Sequence, residues 1–285
     1  MSPELAAALI SAFGAQGIEA KGPLRAEPVA GGDLNEAYRV PLGPGGVAFV
    51  KTRPDAPAGS FEAEARGLAL LGAHVRVPEV LATGSRPPFL ALRFVRLGRR
   101  GDDAALGEAI ADLHAARVRR EELPARVWLG PLELPNRDEG RGEGFFALRI
   151  APILDAAASS LRLGARDILA LERVYSARLK DRPADRLLHG DLWSGNAAFD
   201  DAGVPVLFDP AVAAGDPEAD LAMMGLFGGF SPRVWAAYRS RHPQAPCADG
   251  RRPCYELFPL LVHHALFGGG YTDRVRTLIA GLLGH

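Results

Sequence analysis

The hydrophobic pattern of this chain changes character near residue 100, and that change limits the folds open to it. Between residues 25 and 95 the stretch "AEPVAGGDLNEAYRVPLGPGGVAFVK" reads as strand, Gly-rich turn, strand, hairpin and strand. One helix interrupts it: "GSFEAEARGLALLGA" sets Phe61, Ala65, Leu68 and Leu71 at helical spacing. "FLALRFV", residues 89–95, has the continuous apolar character of a buried strand. Beyond residue 100 the period becomes helical, in "DDAALGEAIADLHAARV", "GFFALRIAPILDAAASSL" and "GARDILALERVYSARLKD". A short strand-like pair follows around residue 190, and then further helices. Residues 119–144 are rich in Pro, Gly and charge, which predicts a surface excursion. The class is α+β, with a small β-rich lobe over residues 1–95 and a larger, mostly helical lobe over 96–285.

Composition removes several functions. With 33 basic and 34 acidic residues the net charge is -1, so no positive excess exists to neutralise a phosphate backbone, and a nucleic-acid partner is not expected. The N-terminus has no basic stretch before its apolar part. It reads as a helix with Ser2 as N-cap and Pro3 at the first helical position, not as a signal peptide. No run approaches 18 uncharged apolar residues, so neither a membrane span nor a membrane partner is expected, and a cytoplasmic address follows by default. Cys247 and Cys254 have neither zinc nor redox spacing; they read as two free thiols, with a disulfide closing a small loop as the alternative. Only Lys21, Lys51 and Lys180 are lysines, so a lysine-specific role has few candidates.

The chemistry concentrates in "LLHGDLWSGN". His189, Asp191 and Asn196 form H-x-D-x-x-x-x-N, the spacing of a kinase catalytic loop, in which Asp accepts the substrate hydroxyl proton and Asn holds Mg²⁺. Phosphoryl transfer needs a carboxylate beside the attacking hydroxyl and oxygen ligands for a hard cation. Thirteen residues after Asn196, "PVLFDP" ends an apolar strand in Asp209, the place of a second Mg²⁺ ligand, although as FDP and not DFG. Upstream, "VAFVK" puts Lys51 at the end of an apolar strand, like the kinase VAIK lysine. Its partner candidates in the next helix are Glu64 and, second, Glu62, which lie on different sides of that helix. "GGDLN" (Gly31, Gly32, Asp33, Leu34, Asn35) lies between two strands before Lys51, where backbone amides cover ATP phosphates; it lacks the full G-x-G-x-x-G. Each piece alone has a plain reading as turn or surface lysine. Their order and intervals together predict a two-lobed protein-kinase-like fold.

"LLHGDLWSGN", "VLFDP" and "GDPEADLAMMGLFGGF" resemble the fructosamine-3-kinase (ketosamine-3-kinase) family, akin to aminoglycoside and choline kinases. The resemblance extends to "GGDLNEAY", "FVK", "FEAEARGLALL", "RVPEVL", "ALGEAIADLH" and "CYELFPLLVHHALFGGGY". It implies ATP and Mg²⁺ as cofactors. It implies phosphorylation of the third-carbon hydroxyl of a ketosamine, free or on a glycated protein, whose product decomposes and frees the amine. Asp191 would be the base, and Asn196 and Asp209 the Mg²⁺ ligands. Lys51 would contact ATP phosphates and pair with Glu64. Trp193 would wall the sugar pocket, His263 would line it, and Asp220 would brace the catalytic loop. Arg93, Phe94 and Val95 would lie along the adenine, read mainly through backbone groups.

The chain departs from the family pattern at Asp33, where some members carry a redox-active Cys, at Arg93, where Glu is frequent, and at Leu266 and His264, where His and Trp are expected. Asp33 implies that the redox-linked dimer is absent, and Arg93 leaves nucleotide binding intact; the last two put the preferred sugar in question, ribulosamine and erythrulosamine being the smaller alternatives. Two other readings stand beside this one. One is a kinase for another small hydroxyl substrate, such as an aminoglycoside, a choline-like alcohol or a sugar; "LFPLLVHHALFGGG" supplies no acids for a polycation. The other is a non-catalytic kinase-fold binding protein.

Overall fold

The computed structural model describes residues 1–20, 23–29, 35–98, 100–140, 142 and 144–284. The chain divides into two compact units: residues 1–102 with 197–210, and residues 103–196 with 211–285.

The first unit opens with α1 (Pro3–Ala15), whose start follows from its cap: the Leu5 amide donates to Ser2 Oγ at 3.2 Å and Pro3 fills the first turn. Five strands form one antiparallel sheet: β1 (Glu27–Pro28), β2 (Glu36–Pro41), β3 (Val47–Thr52), β4 (Val80–Ser85) and β5 (Pro88–Arg93), in the order β1-β2-β3-β5-β4. Helix α2 (Ser60–Leu71) follows β3. Alternation along the strands sorts side chains between two cores. Phe89 and Ala91 of β5, with Ala48 and Val50 of β3, pack against Leu5, Leu9 and Phe13 of α1. Leu90 and Leu92, from the opposite face, pack with Phe49 against Phe61 and Leu68 of α2. Lys51 is paired in register with Leu90 and so falls on the α2 face. A short antiparallel hairpin, Ala197–Phe199 with Pro205–Leu207, belongs to this unit, its Leu207 amide donating to the Arg76 carbonyl at 3.0 Å.

The second unit is mostly helical: α3 (Asp103–Ala115), α4 (Ala151–Leu161), α5 (Ala165–Leu179), α6 (Glu218–Phe227), α7 (Pro232–Arg241), α8 (Ala248–Phe267) and α9 (Tyr271–Leu283). The mixed class expected from the pattern change therefore holds. Residues 119–144 are not a mere surface excursion. They include a hairpin of β6 (Arg126–Leu129) and β7 (Leu132–Pro135), with Val127, Leu129 and Leu134 buried. Asn136, fully buried behind it, donates to the Pro124 and Val212 carbonyls at 3.1 and 2.9 Å. The strands are four residues each, too short for their alternation to stand out among the flanking charges. The expected helix at 144–161 is a five-residue π-helical turn, Phe146–Ile150, running into α4. A strand pair, β8 (Arg186–Leu188) with β9 (Ala213–Gly215), sits next to the catalytic-loop motif. Cys247 is exposed, Cys254 is buried, and both are free thiols.

Candidate active site

In the first unit the motif residues converge on Lys51. The strand alternation that turns Lys51 toward α2 puts Glu64 within reach, and Nζ donates to Glu64 Oε1 at 2.6 Å. Glu62 is not its partner; it sits in the first turn of α2. Lys51 Nζ also donates to Asp209 Oδ1 at 2.6 Å, across 158 residues of sequence. Burial by itself would lower the lysine pKa, but the two carboxylates outweigh it and hold the group above its ordinary value, so Lys51 is a cation at neutral pH. Its side chain is 7 % exposed and that of Asp209 48 %, so the acid leads from a buried ion pair toward solvent. Asp209 has φ 56°, a left-handed backbone that is costly for a non-glycine residue and tends to be retained where a side chain must be aimed.

In the second unit the loop after β8 carries the other half of the chemistry. Leu187 and Leu188 are buried and paired with β9, and the chain then turns at Gly190, φ 80°. A Cβ there would stand 1.9 Å from the Ala211 carbonyl oxygen, so only glycine fits. Gly190→Ala is expected to cost about 3 kcal/mol and to lower Tm by several degrees; a thermal melt equal to the wild type would contradict this packing. Beyond the turn, Asn196 Nδ2 donates to the Asp191 carbonyl at 2.8 Å and to Asp191 Oδ2 at 2.9 Å. Asn196 thereby fixes the Asp191 side chain and keeps its own Oδ1 for another partner. Trp193 is 43 % exposed, and its indole lies over Gly195, where a Cβ would stand 2.1 Å from the ring.

Behind the loop, Asp220 of α6 accepts from the His189 amide at 2.7 Å and the Gly190 amide at 3.0 Å. His114, at the end of α3, lies 3.1 Å from the same carboxylate through Nε2 and 3.0 Å from Tyr238 Oη through Nδ1. Burial raises the Asp220 pKa, but the hydrogen bond and charge of His114 and the contacts of His189 outweigh it, so the carboxylate is held below its ordinary value. The role of His114 had one signal in the sequence, a histidine on the apolar face of a helix, which does not distinguish a brace from ordinary packing. His263 of α8 is half-buried. Its Nδ1 donates to the Pro259 carbonyl at 2.8 Å and its ring packs 4.4 Å from Phe227. Burial lowers its pKa, so the ring is neutral at pH 7. His264 is bound on both ring nitrogens, by Ser160 and Thr272.

The nucleotide-side candidates divide. Gly31, Gly32, Asp33 and Leu34 lie outside the described residues; Asn35 is a bend immediately before β2. Arg93, the last residue of β5, pairs with Glu79 at 3.1 Å. The Phe94 amide donates to the Val47 carbonyl at 2.9 Å, and Val95 follows in irregular chain. No cluster of three His, Cys, Asp or Glu side chains suited to a metal occurs among the described residues. Taken one by one, the donors are of the kind Mg²⁺ prefers: in the first unit Asp209 has a second carboxylate oxygen beyond the one taken by Lys51, and in the second Asn196 has an amide oxygen, each a hard ligand.

These pieces match known proteins along nearly the whole chain. A profile for the fructosamine kinase family matches residues 5–285. The chain belongs to the fructosamine kinase family. A "Probable ketoamine kinase" from Thermus thermophilus is 39% identical over 259 residues, covering 90% of this chain and 92% of that protein. Another from Enterococcus faecium is 36% identical over 259 residues, covering 88% and 93%. A solved structure of a "putative fructosamine-3-kinase" from Thermobifida fusca superposes with a TM-score of 0.81 at 32% identity, covering 100% of both chains. As a member of the fructosamine kinase family the chain is an ATP-dependent kinase, and its fold is protein-kinase-like. No helix among its described residues is long and apolar enough to cross a membrane.

Proposed function

We propose that this enzyme transfers the γ-phosphoryl group of ATP to the third-carbon hydroxyl of a ketosamine, free or carried on a glycated protein, and so initiates deglycation. The observation that carries this reading is the Asp191–Asn196 pair, held in one loop of a chain that belongs to the fructosamine kinase family along its length. Asp191 accepts the proton of the substrate hydroxyl while its oxygen forms a bond to the γ-phosphorus and ADP leaves. Lys51, kept cationic by Glu64 and Asp209, holds ATP phosphate oxygens. The Gly31–Asn35 turn and residues 93–95 contact the nucleotide. Asn196 and Asp209 hold Mg²⁺, which when bound offsets negative charge on the phosphates. Trp193 and His263 line the sugar side. The phosphorylated ketosamine is unstable and releases its amine. The enzyme acts in the cytoplasm, without a nucleic-acid or membrane partner.

A panel of acceptors tests this reading. With Mg·ATP the purified enzyme is expected to consume ATP on a ribulosamine or a fructosamine and not on kanamycin, choline or free fructose. Turnover confined to one of the last three would overturn it. Trp193→Ala is expected to raise KM for the ketosamine about tenfold and leave ATP affinity unchanged. An unchanged KM would remove Trp193 from the sugar site.

A further inference from the structure

The second unit contains a cavity of about 680 Å³, within the size range of small-molecule sites. Five aromatic rings share its wall with several charged side chains. Phe145 stands edge-on to Tyr255 and Phe258, at 5.0 and 6.0 Å, and Phe146 lies 5.2 Å from Tyr175. Beside these rings the π-helical turn delivers a guanidinium, that of Arg149, a residue only 5 % exposed. Arg149 Nη1 donates to the Pro135 and Leu148 carbonyls at 2.6 and 2.9 Å, and Nη2 to Asn136 Oδ1 at 2.5 Å. All three acceptors are neutral. Nε and one N–H of Nη2 have no acceptor among the described residues, and no carboxylate there lies within ion-pair distance of Arg149.

Glu121 and three aspartates share the cavity wall, and the aspartates are already engaged. Asp216 accepts from Arg182 at 2.5 Å and from Tyr255 Oη at 2.7 Å. Asp220 accepts from the two loop amides and faces His114. Asp185 pairs with Arg117 at 2.6 Å. Burial depresses the Arg149 pKa and the nearby Arg120 adds to it, while the charge of Asp220, which makes no ion pair with it, offsets this only in part. A buried cation without an anion is destabilising, and an anion placed against it is held strongly.

We propose that this cavity binds a small organic carboxylate with an aromatic or similarly apolar body. The carboxylate accepts from Arg149 Nε and Nη2, a charge-assisted pair of hydrogen bonds, and the body lies among Phe145, Phe146 and Tyr175. Gly190 and Asp220 belong to the same wall, so the ligand rests against the back of the loop that carries Asp191. The proposal is independent of which acceptor the enzyme phosphorylates.

Calorimetric titration of the full chain with benzoate, benzyl alcohol and acetate tests it. Benzoate is expected to bind saturably, at least about tenfold more tightly than either benzyl alcohol, which lacks the charge, or acetate, which lacks the body. Arg149→Met is expected to abolish the preference for benzoate over benzyl alcohol. Because that change alters a buried group, Ser176→Trp provides a second arm: Ser176 is an exposed residue of α5 on the cavity wall, and an indole there obstructs the space without touching Arg149 or the loop. Loss of benzoate binding in Ser176→Trp supports the site. Equal affinity for benzoate and benzyl alcohol in the wild type, or undiminished benzoate binding in Ser176→Trp, overturns it.

Discussion

Asp191→Asn is expected to lower kcat by about 10²- to 10⁴-fold, the usual contribution of a general base, with ATP affinity and Tm close to those of the wild type. The substitution is nearly isosteric and keeps a side-chain oxygen to accept from Asn196 Nδ2, so the loop retains its bracing. What it removes is the capacity to take up the hydroxyl proton. A loss in kcat with unchanged nucleotide binding by calorimetry would fit a base. An unchanged kcat would exclude Asp191 from that role, and a matching fall in Tm would make it structural.

Asp220→Ala is expected to have the largest effect on stability, about 3–5 kcal/mol, because Asp220 is buried and its contacts cannot be replaced by water. Removing the carboxylate leaves the His189 and Gly190 amides and His114 without their acceptor at once. The effect depends on pH with a definite sign. The folded-state pKa of Asp220 is depressed, so its contribution is complete above the unfolded value of about 3.9 and is lost as pH falls through the folded value. Chemical denaturation at pH 7 is therefore expected to separate wild type and variant widely, and the difference should shrink under strongly acidic conditions. Equal stability at pH 7 would contradict the bracing.

The sequence made some of this architecture legible because the causes are local. Ser2 and Pro3 announce α1 through capping chemistry that needs no tertiary partner. The helical spacing of Phe61, Leu68 and Leu71 marks α2, whose apolar stripe packs on the sheet. Glu62 and Glu64 lie on different sides of α2, and the ion pair between Lys51 and Glu64 follows from which faces of β3 and α2 meet.

Other features are set by distant parts of the chain. The return of residues 197–210 to the first unit, which brings Asp209 onto Lys51, has no signature in a three-residue strand. The short hairpin of β6 and β7 was obscured by charged and Gly/Pro neighbours. Arg149 looks in the sequence like one more arginine among 30; its burial with only uncharged hydrogen-bond acceptors sets it apart.

The central claim is the position at which phosphate is transferred. The direct measurement is phosphorus NMR, with proton–phosphorus correlation, on the product formed from Mg·ATP and a ribulosamine of lysine. A new phosphate monoester coupled to the proton on the third carbon is expected, absent with Asp191→Asn, followed by release of free lysine. A stable ester on another carbon, or no ester with ATP still bound, would contradict it.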